Sequence, residues 1–153
     1  MSIKNDLKTY VKKAISRDSR KSHDDNYLYI KEYNGKNIYL RHATPDKIVA
    51  DSCFDGEFNA LMNLLGMLKK EFCVLDLGAY IGTASLIFAS LPNSKVVSVE
   101  PSADNYSILE LNTMIHPNIL AVNKAIAPTS NQTLDLSNRG TGQWGFSTVK
   151  NPK

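Results

Sequence analysis

Asp76, Gly78, Gly82 and Glu100 are the residues of this 153-residue chain whose types and spacing could do chemistry. Two glycines four apart permit a tight turn and a close approach of backbone to ligand. A carboxylate about 20 residues later can accept hydrogen bonds from the two hydroxyls of a ribose. For that chemistry the glycines must stand between a strand and a helix, and the acid must close a neighbouring strand. The flanking residues fit this arrangement. Phe72, Val74 and Leu75 read as a short buried strand, Gly78 to Gly82 as a turn, and Leu86, Ile87, Ala89 and Ser90 as a helix ended by Pro92-Asn93. KVVSV from Lys95 is a second strand that stops at Glu100. A right-handed crossover makes the two strands parallel, so both end on the same edge of a sheet. The unit suits an adenosine-type cofactor.

The same stretch, FCVLDLGAYIGTASLIFASL from Phe72 to Leu91, is about as long as a bilayer span and holds a Gly78-x-x-x-Gly82 pattern. Asp76 argues against that use, since it would cost about 2.5–3.5 kcal/mol near a bilayer centre. The change of period within the stretch argues against it too. The chain is read as having no transmembrane segment.

Finer points bear on the cofactor. The dinucleotide fingerprint G-x-G-x-x-G uses its second glycine to let the backbone approach a pyrophosphate, and here that position is Tyr80. A pyrophosphate is expected to fit poorly. Asp76, two residues before the first glycine, offers a carboxylate to a cofactor with a cationic end, and S-adenosylmethionine carries both a sulfonium and an amino group. The other reading of Asp76 is that it caps the turn amides of its own loop.

With these residues in place, the chain resembles the FkbM-type methyltransferases of the Rossmann-like S-adenosylmethionine-dependent class. The similarity runs from about Asn37 to Val149 through LRHATPDK, the FDGEF at Phe54 to Phe58, VLDLGAYIGTASL, VVSVEPSADNYSILELN and NKAIAP. The resemblance implies an α/β fold with a doubly wound, mostly parallel sheet. It implies S-adenosylmethionine as cofactor, held by Asp76, Gly78, Ala79, Tyr80, Gly82 and Glu100, with Lys124 and Ala125 near the adenine. The family usually has Asn at the position of Tyr80. Its members continue into a later strand with an acidic motif of the LKID-EG type, which does not occur before Lys153, so the sheet is expected to be incomplete at the C-terminal end. The implied activity is O-methylation of a small hydroxylated metabolite or sugar. The alternatives are a non-catalytic cofactor-binding or assembly module and a NAD-dependent oxidoreductase.

The elements that must position these residues can be read around them. At 42% hydrophobic and 22% charged, the chain suits one globular core. Residues 1–26 form a basic segment, with Ile3, Leu7, Val11, Ala14 and Ile15 at helical spacing followed by a polar linker, and 27–153 form the binding domain. The stripe reads as a packed surface helix, with no nucleic-acid partner expected. YLYIKEYNGKNIYLRH is a hairpin around Asn34-Gly35, and NQTLDLSNRGTGQWGFSTVK a second one. Ser102 caps a helix through Ile115 whose Tyr106, Leu109 and Met114 face the sheet.

Cys53 and Cys73 lack metal spacing, and Cys73 falls in the buried strand, which suits a reduced cytoplasmic protein with no metal. His116 ends the helix far from the ligand edge, so no catalytic base is assigned. The strand Phe72 to Leu77 is expected to have an open edge, covered by the hairpin near Trp144, by a second copy or by a partner chain.

Overall fold

The structure is a computed structural model, and it describes residues 28–68, 70–129, 135–138 and 146–149. The basic segment and linker expected over 1–26, and Trp144, lie outside these residues. The first two strands, β1 (Leu28–Tyr33) and β2 (Lys36–Arg41), form the expected antiparallel hairpin. Asn34 and Gly35 both take positive φ, at 50° and 76°, which is the twist a two-residue hairpin turn requires. Helix α1 (Asp46–Ser52), a π-helical turn (Cys53–Glu57) and α2 (Asn59–Met67) lead into the sheet.

The sheet consists of β3 (Phe72–Leu77), β4 (Ser94–Val99) and β5 (Ile119–Val122), all parallel, in the order β3-β4-β5. Its crossovers are α3 (Thr83–Phe88) and α4 (Ala103–Thr113). This βαβαβ order makes the chain an α/β domain of Rossmann-like type. The Phe72–Leu91 stretch is therefore strand, turn and helix. Among the described residues no helix is long and apolar enough to cross a membrane.

Both crossovers pack on one face of the sheet. Val96 and Ser98 are buried there, as are Leu86 of α3 and Ile108 and Leu109 of α4. The opposite face carries Leu75 at 63% exposure and Leu120 at 61%, with Leu77 and Cys73 also exposed. The expectation of a buried Cys73 is thus corrected. Its strand has apolar residues on both sides, but the described helices cover only one.

Ser102 caps α4 as expected, its hydroxyl accepting from the Asn105 amide at 3.4 Å. Met114, however, lies beyond the last helical turn and is exposed, and the buried surface of α4 includes Asn105, Ile108, Leu109 and Asn112. The strands β6 (Asp135–Asn138) and β7 (Phe146–Val149) pair with each other as a separate two-stranded sheet. They do not join β3, whose outer edge has no strand partner among the described residues.

Gly82 fixes how closely the two crossover helices approach. It has φ +86°, and a Cβ there would lie 2.7 Å from Leu109 Cδ1 and 3.1 Å from Thr113 Cγ2. The residue serves packing between α3 and α4, whereas the sequence had suggested an approach to ligand. At Gly78, with φ +88°, a Cβ would meet nothing within 4 Å. The two glycines therefore respond differently to alanine. Gly82→Ala combines overpacking with left-handed strain and is expected to cost about 2–5 kcal/mol, against about 1–2 kcal/mol for Gly78→Ala, which meets only the strain. Urea denaturation of both variants checks this, and equal losses would contradict the packing role.

Candidate functional site

The three parallel strands end together, and their loops are laced by backbone bonds. Gly78 and Ala79 both donate to Val99 O, at 2.8 and 3.0 Å, and the Gly82 amide donates to Ala79 O at 2.8 Å, closing the turn. The Glu100 amide donates to Val122 O at 3.0 Å, and Asn123 Nδ2 donates to Glu100 O at 2.7 Å. This brings Gly78, Ala79, Tyr80, Gly82 and Glu100 to one edge, with Lys124 and Ala125 following β5 as exposed residues.

Glu100 is the centre of the edge, and only 4% exposed. Its Oε2 accepts from the Tyr80 amide at 2.9 Å. Its Oε1 accepts from the Ser102 amide at 2.9 Å and from Asn105 Nδ2 at 3.3 Å. Burial pushes its carboxyl above the usual range, against the opposing pull of these donors.

Asp76 points to the helix side of the sheet. Its Oδ2 accepts from Ser85 Oγ at 2.5 Å, and Ser85 Oγ lies 2.7 Å from Ser98 Oγ. Burial raises the Asp76 carboxyl, and the Ser85 bonds oppose that rise. The loop amides that Asp76 could have capped are held elsewhere, those of Gly78 and Ala79 by Val99 O and that of Tyr80 by Glu100.

Tyr80 departs most from what the sequence suggested. It takes φ 53°, the backbone a glycine would favour, yet its side chain is in the core and 6% exposed. The phenol donates to Asp46 Oδ1, and the ring lies 5.5 Å from the Arg41 guanidinium. The ring does not stand over the loop, so steric exclusion of a pyrophosphate is not what this side chain provides.

Its partners form a group that sequence reasoning passed over. Arg41 and Asp46 are 1% and 0% exposed. The guanidinium donates from Nε to Oδ2 at 2.9 Å and from Nη2 to Oδ1 at 2.8 Å. Arg41 Nη2 also donates to Asn105 Oδ1 at 3.0 Å. The bonds close a ring in which Arg41, Asp46, Tyr80, Glu100 and Asn105 each hold the next, joining the N-terminal hairpin and α1 to the glycine turn and α4. Asn112 adds a second clasp. Its Oδ1 accepts from the Tyr39 amide at 2.8 Å, and its Nδ2 donates to Ile81 O at 2.9 Å. Arg41 and Asp46 stand within LRHATPDK, but nothing in that string marks its charges for burial.

His116 lies at the opposite end of α4 from Ser102, its imidazole pushed below the usual range first by burial and then by Lys36. Among the described residues no group of three or more His, Cys, Asp or Glu comes together as a metal site.

No family model matches the chain, and no curated protein matches it significantly. Among solved structures it is similar to TYW2 of Pyrococcus horikoshii in complex with MeSAdo, at 21% identity over 67% of this chain and 38% of that one, with a TM-score of 0.49. It is similar to an SAM-dependent methyltransferase of Agrobacterium tumefaciens, at 18% identity over 70% and 34%, with a TM-score of 0.49. A third is the N-terminal domain of EvdMO1 with SAH bound, at 15% identity over 80% and 45%, with a TM-score of 0.44. The chain thus spans between 34 and 45% of the length of these three solved chains.

The ring makes a pH signature. Burial raises the Asp46 carboxyl, but the Arg41 hydrogen bonds and charge and the Tyr80 hydroxyl outweigh it, so the net shift is below the usual 3.8. A carboxyl lowered on folding stabilises the fold above its unfolded value, and the contribution is lost as pH falls through the folded value. Asp46→Asn is expected to cost about 3–5 kcal/mol at neutral pH, because it leaves Arg41 buried beside a neutral partner. The deficit should shrink as the pH falls below 3.8. Denaturation across that range measures it, and a deficit that grew on acidification would contradict the assignment.

Proposed function

We propose that this domain binds S-adenosylmethionine at the strand-end edge, as a domain of FkbM type, and that the associated reaction is O-methylation of a small hydroxylated metabolite or sugar. The observation that carries the reading is the contact between Glu100 and the glycine turn. An acid closing the second strand is bonded to the amide two residues beyond Gly78, beside a glycine whose missing Cβ leaves open space. The group fits these residues: Gly78 admits close approach of the backbone, Glu100 Oε2 retains acceptor capacity for a ribose hydroxyl, and Lys124 and Ala125, exposed after β5, would lie near the adenine. Asp76, whose Oδ2 is held by Ser85 on the helix side, would offer its other oxygen to a cationic end.

When bound, the sulfonium supplies an electrophilic methyl group for in-line displacement by an acceptor oxygen. The work of the chain is to hold and orient the donor. Among the described residues no strand beyond β3 supplies a second wall for an acceptor. A second copy or a partner chain at the β3 edge would provide one, and a reduced cytoplasmic setting suits the two free thiols. The rival reading, a NAD-dependent oxidoreductase, gains from the buried Tyr80 ring, which leaves the approach of a pyrophosphate unobstructed by that side chain.

Calorimetric titration with S-adenosylhomocysteine and with NAD separates the two. The expected outcome is at least about tenfold tighter binding of S-adenosylhomocysteine, a difference of about 1.4 kcal/mol. Preferential binding of NAD would reverse the assignment. The chain alone is expected to bind the cofactor with little methyl transfer to hydroxylated acceptors. Robust turnover by a strict monomer in light scattering would show that the β3 edge needs no cover.

A further inference from the structure

An ionised carboxylate offers about four acceptor positions, two on each oxygen. On Glu100 three are already taken within the chain, both positions of Oε1 by Ser102 N and Asn105 Nδ2, and one of Oε2 by Tyr80 N. We propose that Glu100 reads only one of the two vicinal ribose hydroxyls, through Oε2, where an otherwise free acid at this position would take both. The proposal rests on the reading that this edge receives an S-adenosyl nucleoside.

The occupied positions are not free to be vacated. Asn105 is 2% exposed, and its Oδ1 accepts from Arg41 Nη2 at 3.0 Å. Turning the amide to release Glu100 would set its NH2 group against a guanidinium, donor against donor. The Ser102 amide belongs to the capping residue of α4, only two positions from Glu100, so the start of the helix carries it to the same oxygen. The Tyr80 amide is held in place by its own side chain, anchored on Asp46. Oε2 therefore keeps the one remaining position, and Asn105, through the bond it makes to Oε1, becomes a residue that sets specificity without touching the nucleoside.

The test compares S-adenosylhomocysteine with its 2′-deoxy and 3′-deoxy analogues by calorimetry on the unmodified chain. The expected result is asymmetric: one analogue binds within about threefold of the parent and the other at least about tenfold more weakly, as loss of a charge-assisted hydrogen bond requires. Losses of tenfold or more for both analogues would overturn the proposal, since both hydroxyls would then be read. Two analogues that both bind like the parent would also overturn it, since Glu100 would then read neither. Failure of S-adenosylhomocysteine itself to bind would overturn the nucleoside reading along with this one, which distinguishes the two failures. In Glu100→Gln the asymmetry should disappear, and its full persistence in a folded variant would assign the discrimination to another group.

Discussion

The buried ion pair of Arg41 and Asp46 is the constraint on which the rest of the arrangement turns. Removing two charges from water costs several kcal/mol per ion, and attraction between them repays that only when geometry is good and the remaining donors and acceptors are satisfied. The fork of the guanidinium meets the carboxylate with two bonds, and Tyr80 and Asn105 supply further partners. Each of those two residues then reaches Glu100, Tyr80 through its backbone and Asn105 through its amide. Satisfying one buried charge pair thus determines the shape of the glycine turn and the direction of the acid that closes β4. The N-terminal hairpin is part of the site through this ring.

The same economy of contact appears in the packing. Gly82 brings α3 onto Leu109 and Thr113, so the two crossover helices make one layer. That layer covers one face of the three-stranded sheet. Parallel sheets are ordinarily covered on both faces, and the other face here presents Leu75, Leu77 and Leu120 to the surface. Its apolar residues are a continuation of the core pattern with no described element set against them.

Much of the fold was legible because it depends on local chemistry. Asn34-Gly35 sets a hairpin by backbone twist alone, Ser102 caps a helix by its own hydroxyl, and strand, glycine turn, helix and strand follow one another within one short βαβ unit. Glu100 could be found by its distance from Gly78. What could not be read was tertiary. An arginine and an aspartate five positions apart look like surface charges until a helix more than sixty residues later supplies Asn105. Tyr80 occupied a position known for its closeness to ligand, and the sequence could not say that its ring turns inward. Alternation cannot tell whether the second face of a strand has a neighbour, so Cys73 was placed in a core that the described helices do not extend to it.

The order in which the ring closes follows from where its members stand along the chain. Synthesis delivers Arg41 and Asp46 first, tens of residues before the helix that supplies Asn105. Tyr80 comes next, and Glu100 and Asn105 emerge last. In the folded chain α4 completes the surroundings of the salt pair, its Asn105 accepting from Arg41. The backbone bonds of the glycine turn come from residues that precede α4, so a nascent chain halted before Asn105 would carry every glycine of the motif and, of the ring, lack only the amide that joins Arg41 to Glu100.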